Sequence, residues 1–260
     1  MNGEGIELPA VVVPLCREFL RGLQACLGRK LVGVYIYGAI TFPETGAAIH
    51  DVDFHAIVAD ALIDAEQDSV VRLLESLRRE FPPLGGELDG YMITLADACK
   101  TTPPTNQLWP RSKAQRDESW ALHCAHIRAG RRIVLFGPDS DTIYPQPSER
   151  DIEEALGGEL QYVAERLEVD PAYCVLNLCR LMYSYQTKNV VVSKQASAQW
   201  ALDELDKKWH ALIEAARRSY RRSRAPGDSG MLHGEVRAFF ETAQRQIATS
   251  LGAWREEQHR

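Results

Sequence analysis

The sequence lacks several features that would assign it to a specialised class of protein. Over its 260 residues, no apolar run approaches the length of about 18 residues that a membrane-spanning helix needs. The N-terminus has no basic region followed by an apolar one, as a secretory signal would have. Basic residues (30) do not outnumber acidic ones (36), and the net charge of −6 argues against nucleic-acid binding driven by bulk charge. We therefore expect a cytoplasmic protein with no membrane and no nucleic-acid partner.

The cysteines also lack the spacing of a disulfide framework or a zinc site. None of the six belongs to a C-x-x-C pair, so they are interpreted as reduced, mostly buried side chains. No internal repeat or low-complexity segment is found. Hydrophobic residues make up 45% and charged residues 25% of the chain, which is ordinary for a globular protein with a sizeable core.

The periodicity of apolar residues divides the chain into a mixed first half and a helical second half. The Pro-rich stretch 144–148 is the best boundary, and Ser148 is a plausible helix N-cap beyond it. The pattern predicts an α+β chain with two domains, residues 1–147 and 148–260. Strands are predicted near 31–37, 52–58 and 88–95, and helices over 8–27, 64–81, 117–129, 151–168, 170–189, 194–222 and 231–256; a mainly apolar run lies at 132–136.

The most informative motif is the Gly38-Ala39 turn followed by Asp51 and Asp53. The turn ends an apolar strand, and the two aspartates are separated by one residue on the next strand. Alternation along a strand puts both carboxylates on one sheet face. Two like charges there repel each other unless a divalent cation lies between them, and a nearby glycine turn can admit a phosphate. The pattern indicates Mg²⁺-dependent phosphoryl or nucleotidyl transfer; the alternative is a solvated strand end.

A two-metal site of this type needs a third carboxylate from a neighbouring strand. Asp89, at the start of the third predicted strand, is the preferred candidate, and Glu87 is its competitor on the same face. Pairing of this strand with the aspartate strand would bring the three groups together. The alternative is again a solvated acid at a strand start. His50 and His55 flank the motif without the spacing of zinc ligands.

The turn and the aspartate pair resemble the signature of the polymerase-β-type nucleotidyltransferases, a Gly-Ser turn followed by an Asp-x-Asp strand. The helical half is similar to the C-terminal domain of the streptomycin/spectinomycin adenylyltransferases. The shared order is Arg180-x-x-Tyr183-Ser184, a turn at Thr187-Lys188, then Lys194 and Trp200-Ala201. The segment IVLFGPD at 133–139 resembles the chain before that domain. The resemblance spans residues 10 to 220 and implies a polymerase-β-like nucleotidyltransferase domain followed by a helical bundle.

The resemblance also implies roles for individual residues. Asp51 and Asp53 would hold two Mg²⁺ ions, with Asp89 in the place of a catalytic glutamate that takes the proton from the attacking hydroxyl. Gly38 and Ala39 would hold the triphosphate of ATP. The family's turn serine is Ala39 here, which keeps the backbone N–H and loses the hydroxyl.

Four further residues are candidate ligands. Arg180 and Lys194 suit a triphosphate, since arginine offers a planar fork and lysine a mobile charge; the alternative for each is an ion pair. Asp170 lies where the family has an aspartate that contacts the antibiotic, but it is also an ordinary N-cap before Pro171. Trp109, in a Pro-rich loop, would stack on a sugar ring or hold its loop in place.

Two hypotheses follow. The first is a monomeric enzyme that transfers AMP from ATP to a hydroxyl of a cationic small molecule, such as an aminoglycoside antibiotic. The second is a catalytically impaired nucleotide-binding or regulatory module on the same fold, which Ala39 and the shorter Asp89 favour. A nucleotidyltransferase with a non-antibiotic acceptor is a variant of the first.

Overall fold

A computed structural model describes residues 6–43, 49, 51–104 and 118–258. The chain divides into two units, Met1–Ile152 and Glu153–Arg260; the sequence-based boundary after residue 147 stays a prediction. In the first unit the elements are α1 (Val13–Leu27), β1 (Leu31–Tyr37), β2 (Val52–Val58), α2 (Asp64–Glu80), β3 (Leu88–Thr94), α3 (Leu95–Ala98), α4 (Trp120–Arg128) and β4 (Ile133–Phe136). Helix α5 (Glu149–Ala164) begins at the division, and α6 (Pro171–Thr187), α7 (Lys194–Glu204), α8 (His210–Tyr220) and α9 (Asp228–Gln258) follow.

The four strands form one mixed sheet in the order β3-β2-β1-β4. Strand β1 is antiparallel to β2 and to β4, whereas β2 and β3 run parallel. Helix α2 connects the parallel pair, as a crossover between parallel strands requires. The chain is therefore α+β, as predicted, with a mixed sheet and a helical C-terminal region.

The sheet is covered by apolar side chains on both faces. On one face, Val52 and Phe54 of β2 pack with Phe19 of α1 and Leu77 of α2. The opposite face forms a second cluster around Trp120. Alternation sends neighbouring residues of β2 to opposite faces. Asp51 and Asp53 thus lie on the Trp120 side, opposite the core that Val52 and Phe54 enter.

In the second unit, α6 is the central helix. It is buried along most of its length and contacts α7, α8 and α9. Asp170 caps its N-terminus, and Lys188 ends it in the left-handed conformation with φ +58°. A glycine is the usual residue at such a position, because a Cβ makes positive φ unfavourable.

Most predicted elements are present with shifted ends, and one prediction was wrong. The helix expected over 194–222 is two helices, because Leu205 is extended and the Asp206 carboxylate accepts a hydrogen bond from the Lys208 N–H at 2.9 Å. The break places Trp209 against Phe239, with ring centroids 5.2 Å apart. Helix α1 begins only at Val13, where proline occupies the first turn.

None of the helices in the described ranges is long and apolar enough to cross a membrane. All six cysteines are free thiols, and Cys99 alone among them is exposed. The interpretation of the cysteines as reduced and mostly buried agrees with these positions.

Candidate nucleotidyl-transfer site

The site is built on the parallel pair β2–β3. Asp53 and Asp89 are register partners on the two strands, so their side chains lie on the same face. Asp51 precedes β2 by one residue and shares that face by alternation. The backbone N–H of Val52 donates to the Glu87 carbonyl at 2.9 Å and fixes the start of the pair. The predicted pairing that would gather the three aspartates is therefore present.

The Gly38 turn lies directly against the Asp53 carboxylate. Gly38 has φ +73°, and a Cβ at this position would overlap the side chain of Asp53. Two constraints thus require glycine here, a left-handed backbone and a close approach. The turn continues as a short 3₁₀ segment, Gly38–Thr41, in which the Thr41 hydroxyl donates to the Gly38 carbonyl at 2.8 Å.

Arg131 holds the far end of this turn. Its Nη1 donates to the Thr41 carbonyl at 3.1 Å, and its guanidinium carbon lies 4.6 Å from the centre of the Phe42 ring. Sequence reasoning missed this residue, since it is 90 residues from Thr41 along the chain. Nothing in the local sequence of Arg131 indicates which carbonyl it contacts.

Asp89 is electrostatically coupled to its neighbours. Partial burial of its carboxyl group raises its pKa above 3.8, and the negative charge of Asp51 raises it further. Glu87 acts in the same direction, whereas the backbone N–H of Gly90 and the side chain of His123 oppose the shift. Asp89 is still exposed at the strand surface, so it can be reached by solutes. A raised pKa makes its carboxylate a stronger base than an ordinary aspartate.

The donor set fits a magnesium ion in chemistry. Carboxylate oxygens are the protein ligands that Mg²⁺ prefers, and the mutual repulsion of Asp51 and Asp89 is a cost that a divalent cation would remove. Across the residues described here, however, no group of three or more His, Cys, Asp or Glu side chains already converges as a metal site. The aspartates lie on one face of the sheet, and the charge of Asp51 acts on Asp89, but their side chains do not form a complete metal coordination sphere.

Aromatic rings and imidazoles form a floor beneath the aspartates. His55 follows Asp53 on the same face of β2 and is fully buried, with ring centroids of Tyr37 and Trp120 at 4.2 and 4.9 Å. Its Nδ1 lies 3.1 Å from the Tyr144 hydroxyl, while its Nε2 has no hydrogen-bond partner in the described chain. Burial lowers the pKa of His55 well below 6.5, and His123 lowers it further, so the imidazole is neutral at pH 7.

The predicted cationic ligands lie in the helical unit. Lys194 begins α7, and its ammonium nitrogen lies over the rings of Tyr173 and Tyr220 at 4.6 and 5.5 Å. Arg180 is half-buried on α6, and its charge acts on the pKa of Tyr173. Both cations therefore act on Tyr173, in the first turn of α6. Anions are favoured at a helix N-terminus.

Of the two residues predicted to contact the acceptor substrate, the structure describes one. Asp170 is exposed, and its carboxylate accepts a hydrogen bond from the Tyr173 N–H at 3.2 Å as the N-cap of α6. The alternative structural role is thus present, and contact with an acceptor stays a prediction. Trp109 lies outside the described residues, as does His50.

Comparison with known proteins gives matches to one kind of enzyme. Residues 143–246 match the family model described as aminoglycoside adenylyltransferase, C-terminal domain. Spectinomycin 9-adenylyltransferases of Staphylococcus aureus strains Mu50 and N315 are 26% identical over 254 residues, covering 90% of this chain and 94% of theirs.

A solved structure shares the fold. The crystal structure of the spectinomycin adenyltransferase AAD(9) from Enterococcus faecialis, with ATP and spectinomycin, superimposes with a TM-score of 0.74 at 14% identity. The match covers 89% of this chain and 98% of that one. The chain is thus similar to these enzymes across the sheet region and the helical region alike.

Proposed function

We propose that this aminoglycoside adenylyltransferase-like chain transfers AMP from ATP to a hydroxyl group of a cationic small molecule, an aminoglycoside-type antibiotic. The observation that carries the proposal is the pairing of Asp53 with Asp89 on adjacent parallel strands, with Asp51 on the same face and the Gly38 turn against Asp53. The relatives named for spectinomycin adenylylation, and a neighbour that holds ATP with spectinomycin, support this choice of substrates.

In the proposed reaction, the acceptor hydroxyl oxygen attacks the α-phosphorus of ATP. A new P–O bond forms, the bond to the β,γ-diphosphate breaks, and pyrophosphate leaves. Asp89 takes the hydroxyl proton, a task that its raised pKa suits. Gly38 and Ala39 present backbone N–H groups to the phosphates, and Arg180 and Lys194 neutralise their charge.

Asp51 and Asp53 would hold magnesium, with Asp89 as the third ligand. When bound, the metal supplies positive charge that stabilises the phosphates in the transition state. Ala39 gives the turn one hydrogen-bond donor fewer than a serine would. Asp170 and Trp109 would contact the acceptor, whose positive charge suits an acidic side chain and whose rings suit an indole.

The test is a transfer assay with ATP, Mg²⁺ and either spectinomycin or streptomycin, followed by mass analysis of the antibiotic for an added AMP. Asp51→Asn and Asp53→Asn should each abolish Mg²⁺-dependent ATP binding and transfer, because a neutral amide is a poor Mg²⁺ ligand. Both variants should stay folded, and without metal their melting temperatures should equal or exceed that of the parent. A parent-like response of these variants to ATP and Mg²⁺ would refute the site.

Asp89→Asn separates binding from transfer. It should keep most of the affinity for ATP and lose AMP transfer, because its proposed task is proton removal in the transfer step. Asp68→Asn, an exposed acid on α2, is the matched control and should keep both activities. Equal transfer by Asp89→Asn and the parent would leave proton removal to another group.

The second candidate is a nucleotide-binding module that has lost catalysis. Ala39, which lacks the hydroxyl of the resembling signature, and the short side chain of Asp89 favour it. It predicts Mg²⁺-dependent ATP binding by the parent without added AMP on any antibiotic tested. Sedimentation at micromolar concentration tests the accompanying proposal that the protein is a monomer; a dimer mass would contradict it.

A further inference from the structure

Asn177, in the middle of α6, is a buried polar residue that the proposed chemistry does not yet use. It is 2% exposed, and Leu176 and Leu178 beside it are fully buried. Its Oδ1 accepts a hydrogen bond from Arg180 Nη1 at 3.3 Å, one helical turn away. Because a guanidinium carries only donors, this contact fixes which way the amide faces.

The other end of the Asn177 amide is not satisfied. Its Nδ2 is buried without a hydrogen-bond acceptor among the residues that the structure describes. The Asn177 side chain lowers the pKa of Tyr173, against the larger effect of burial, which raises it. A buried donor left unpaired is unfavourable for folding, and leucine would fill a similar volume without that cost. Folding alone therefore does not explain an asparagine at this position.

The hydrogen bond from Arg180 to Asn177 indicates a role in orienting the guanidinium. Arg180 and Asn177 both act on Tyr173, and the same tyrosine ring carries the Lys194 ammonium at 4.6 Å. A free arginine side chain samples many rotamers, so an acceptor that holds it reduces the entropy lost on ligand binding. The acceptor is neutral, which leaves the positive charge of the guanidinium available to an anion.

We propose that Asn177 is a positioning residue for the nucleotide: it holds the Arg180 guanidinium beside Tyr173 and Lys194 in the orientation that receives the triphosphate. The inference rests on the proposed function, because it takes Arg180 and Lys194 as phosphate ligands. Asn177 does not touch the nucleotide; it acts through Arg180. A carboxylate at position 177 could also accept the hydrogen bond from Arg180, but its negative charge would cancel the positive charge of the guanidinium.

The test uses the full chain and two readouts, the melting temperature without ligand and calorimetric binding of ATP and of inorganic tripolyphosphate. Asn177→Leu should keep or raise the melting temperature, since it removes the unpaired donor, and should weaken both ligands by about tenfold, the scale of one hydrogen bond to a charged group. A residue with only a structural role would lose stability and affinity together. Gln186→Leu, exposed on the same helix, is the control and should leave both readouts unchanged.

The variant Arg180→Met tests whether the effect of Asn177 on ATP binding depends on Arg180. If Asn177 acts through Arg180, the double variant should bind ATP no more weakly than Arg180→Met alone. Should Asn177→Leu fail to fold, Asn177→Asp replaces it: the added carboxylate neutralises the guanidinium and should weaken tripolyphosphate binding at least as much as Arg180→Met does.

The outcomes separate the two proposals. Suppose that the parent binds ATP. If Asn177→Leu then binds it equally well, or if the losses in the double variant are additive, the role of Asn177 is overturned and the proposed function stands. A parent that binds neither ATP nor tripolyphosphate overturns the nucleotide site itself and this inference with it.

Discussion

Gly38→Ala is the substitution whose consequences follow most directly from the structure. The left-handed backbone at Gly38, with φ +73°, costs a residue with a Cβ about 1–2 kcal/mol. The new methyl group would also overlap the Asp53 side chain, which must rotate away from its present rotamer at a cost of about 0.5–1.5 kcal/mol. The total is about 1.5–3.5 kcal/mol, or about 3–14 °C in melting temperature for a chain of this size.

Gly28→Ala is a control for backbone strain without a collision. Gly28 ends α1 with φ +52° and ψ −126°, and a Cβ there would meet nothing within 4 Å. Alanine at this position should lose stability through backbone strain alone, because this conformation favours glycine, and should keep ATP binding.

Thermal denaturation and ATP titration with Mg²⁺ are the two assays. Gly38→Ala should melt below the parent and lose Mg²⁺-dependent ATP binding, because the displaced carboxylate of Asp53 is a proposed metal ligand, whereas Gly28→Ala should keep that binding. In an Asp53→Ala background, Gly38→Ala should cost less stability than in the parent, since the group it collides with is gone. An equal cost of Gly38→Ala in the parent and in the Asp53→Ala background, or parent-like ATP binding by Gly38→Ala, would refute the reasoning.

Four further outcomes are expected. Ala39→Ser should leave transfer unchanged or raise it, by at most about 1–3 kcal/mol of added hydrogen bonding to phosphate; weaker ATP binding by calorimetry would mean that the turn does not face a phosphate. Asp89→Asn should raise the melting temperature at pH 7 and not at pH 3, because a raised pKa means that folding becomes less favourable as the pH rises through it. Lys188→Gly should stabilise by about 0.5–1 kcal/mol by relieving the left-handed end of α6, measurable as a higher urea midpoint. His55→Phe should flatten the loss of stability below about pH 6.5, since His55 is neutral when folded and takes up a proton on unfolding; a urea series from pH 7.5 to 5 tests the slope.

The sheet face was predictable because strands have a strict period of two. The one-residue separation of Asp51 and Asp53 fixed their shared face, and the pairing of β2 with β3, though not its parallel direction, followed once Asp89 was taken as their partner. The turn glycine was predictable for a related reason, since few other residues accept its backbone conformation. These features depend on residues near each other in the chain or on a repeating pattern.

The contacts that support the site were not predictable in the same way. His123 acts on Asp89 from a helix that follows β3 by many residues, and Arg131 reaches the carbonyl of Thr41 across the fold. The break between α7 and α8 was missed because the capping role of Asp206 outweighs a continuous helical pattern. Such effects depend on three-dimensional packing, which periodicity does not encode.

The start of strand β2 belongs to the proposed site and the rest of the strand to the core. This difference affects how the protein tolerates mutation. The beginning of the strand carries Asp53, which lies on the face of the proposed site, whereas the residues from Phe54 to Val58 are buried on both faces of the sheet. In a saturation screen that scores abundance and, on the proposed function, antibiotic resistance separately, substitutions at 51 and 53 by residues no larger than aspartate should lose resistance but not abundance. From position 54 onward the two scores should fall together. The transition between the two regimes should therefore occur within two residues of one strand.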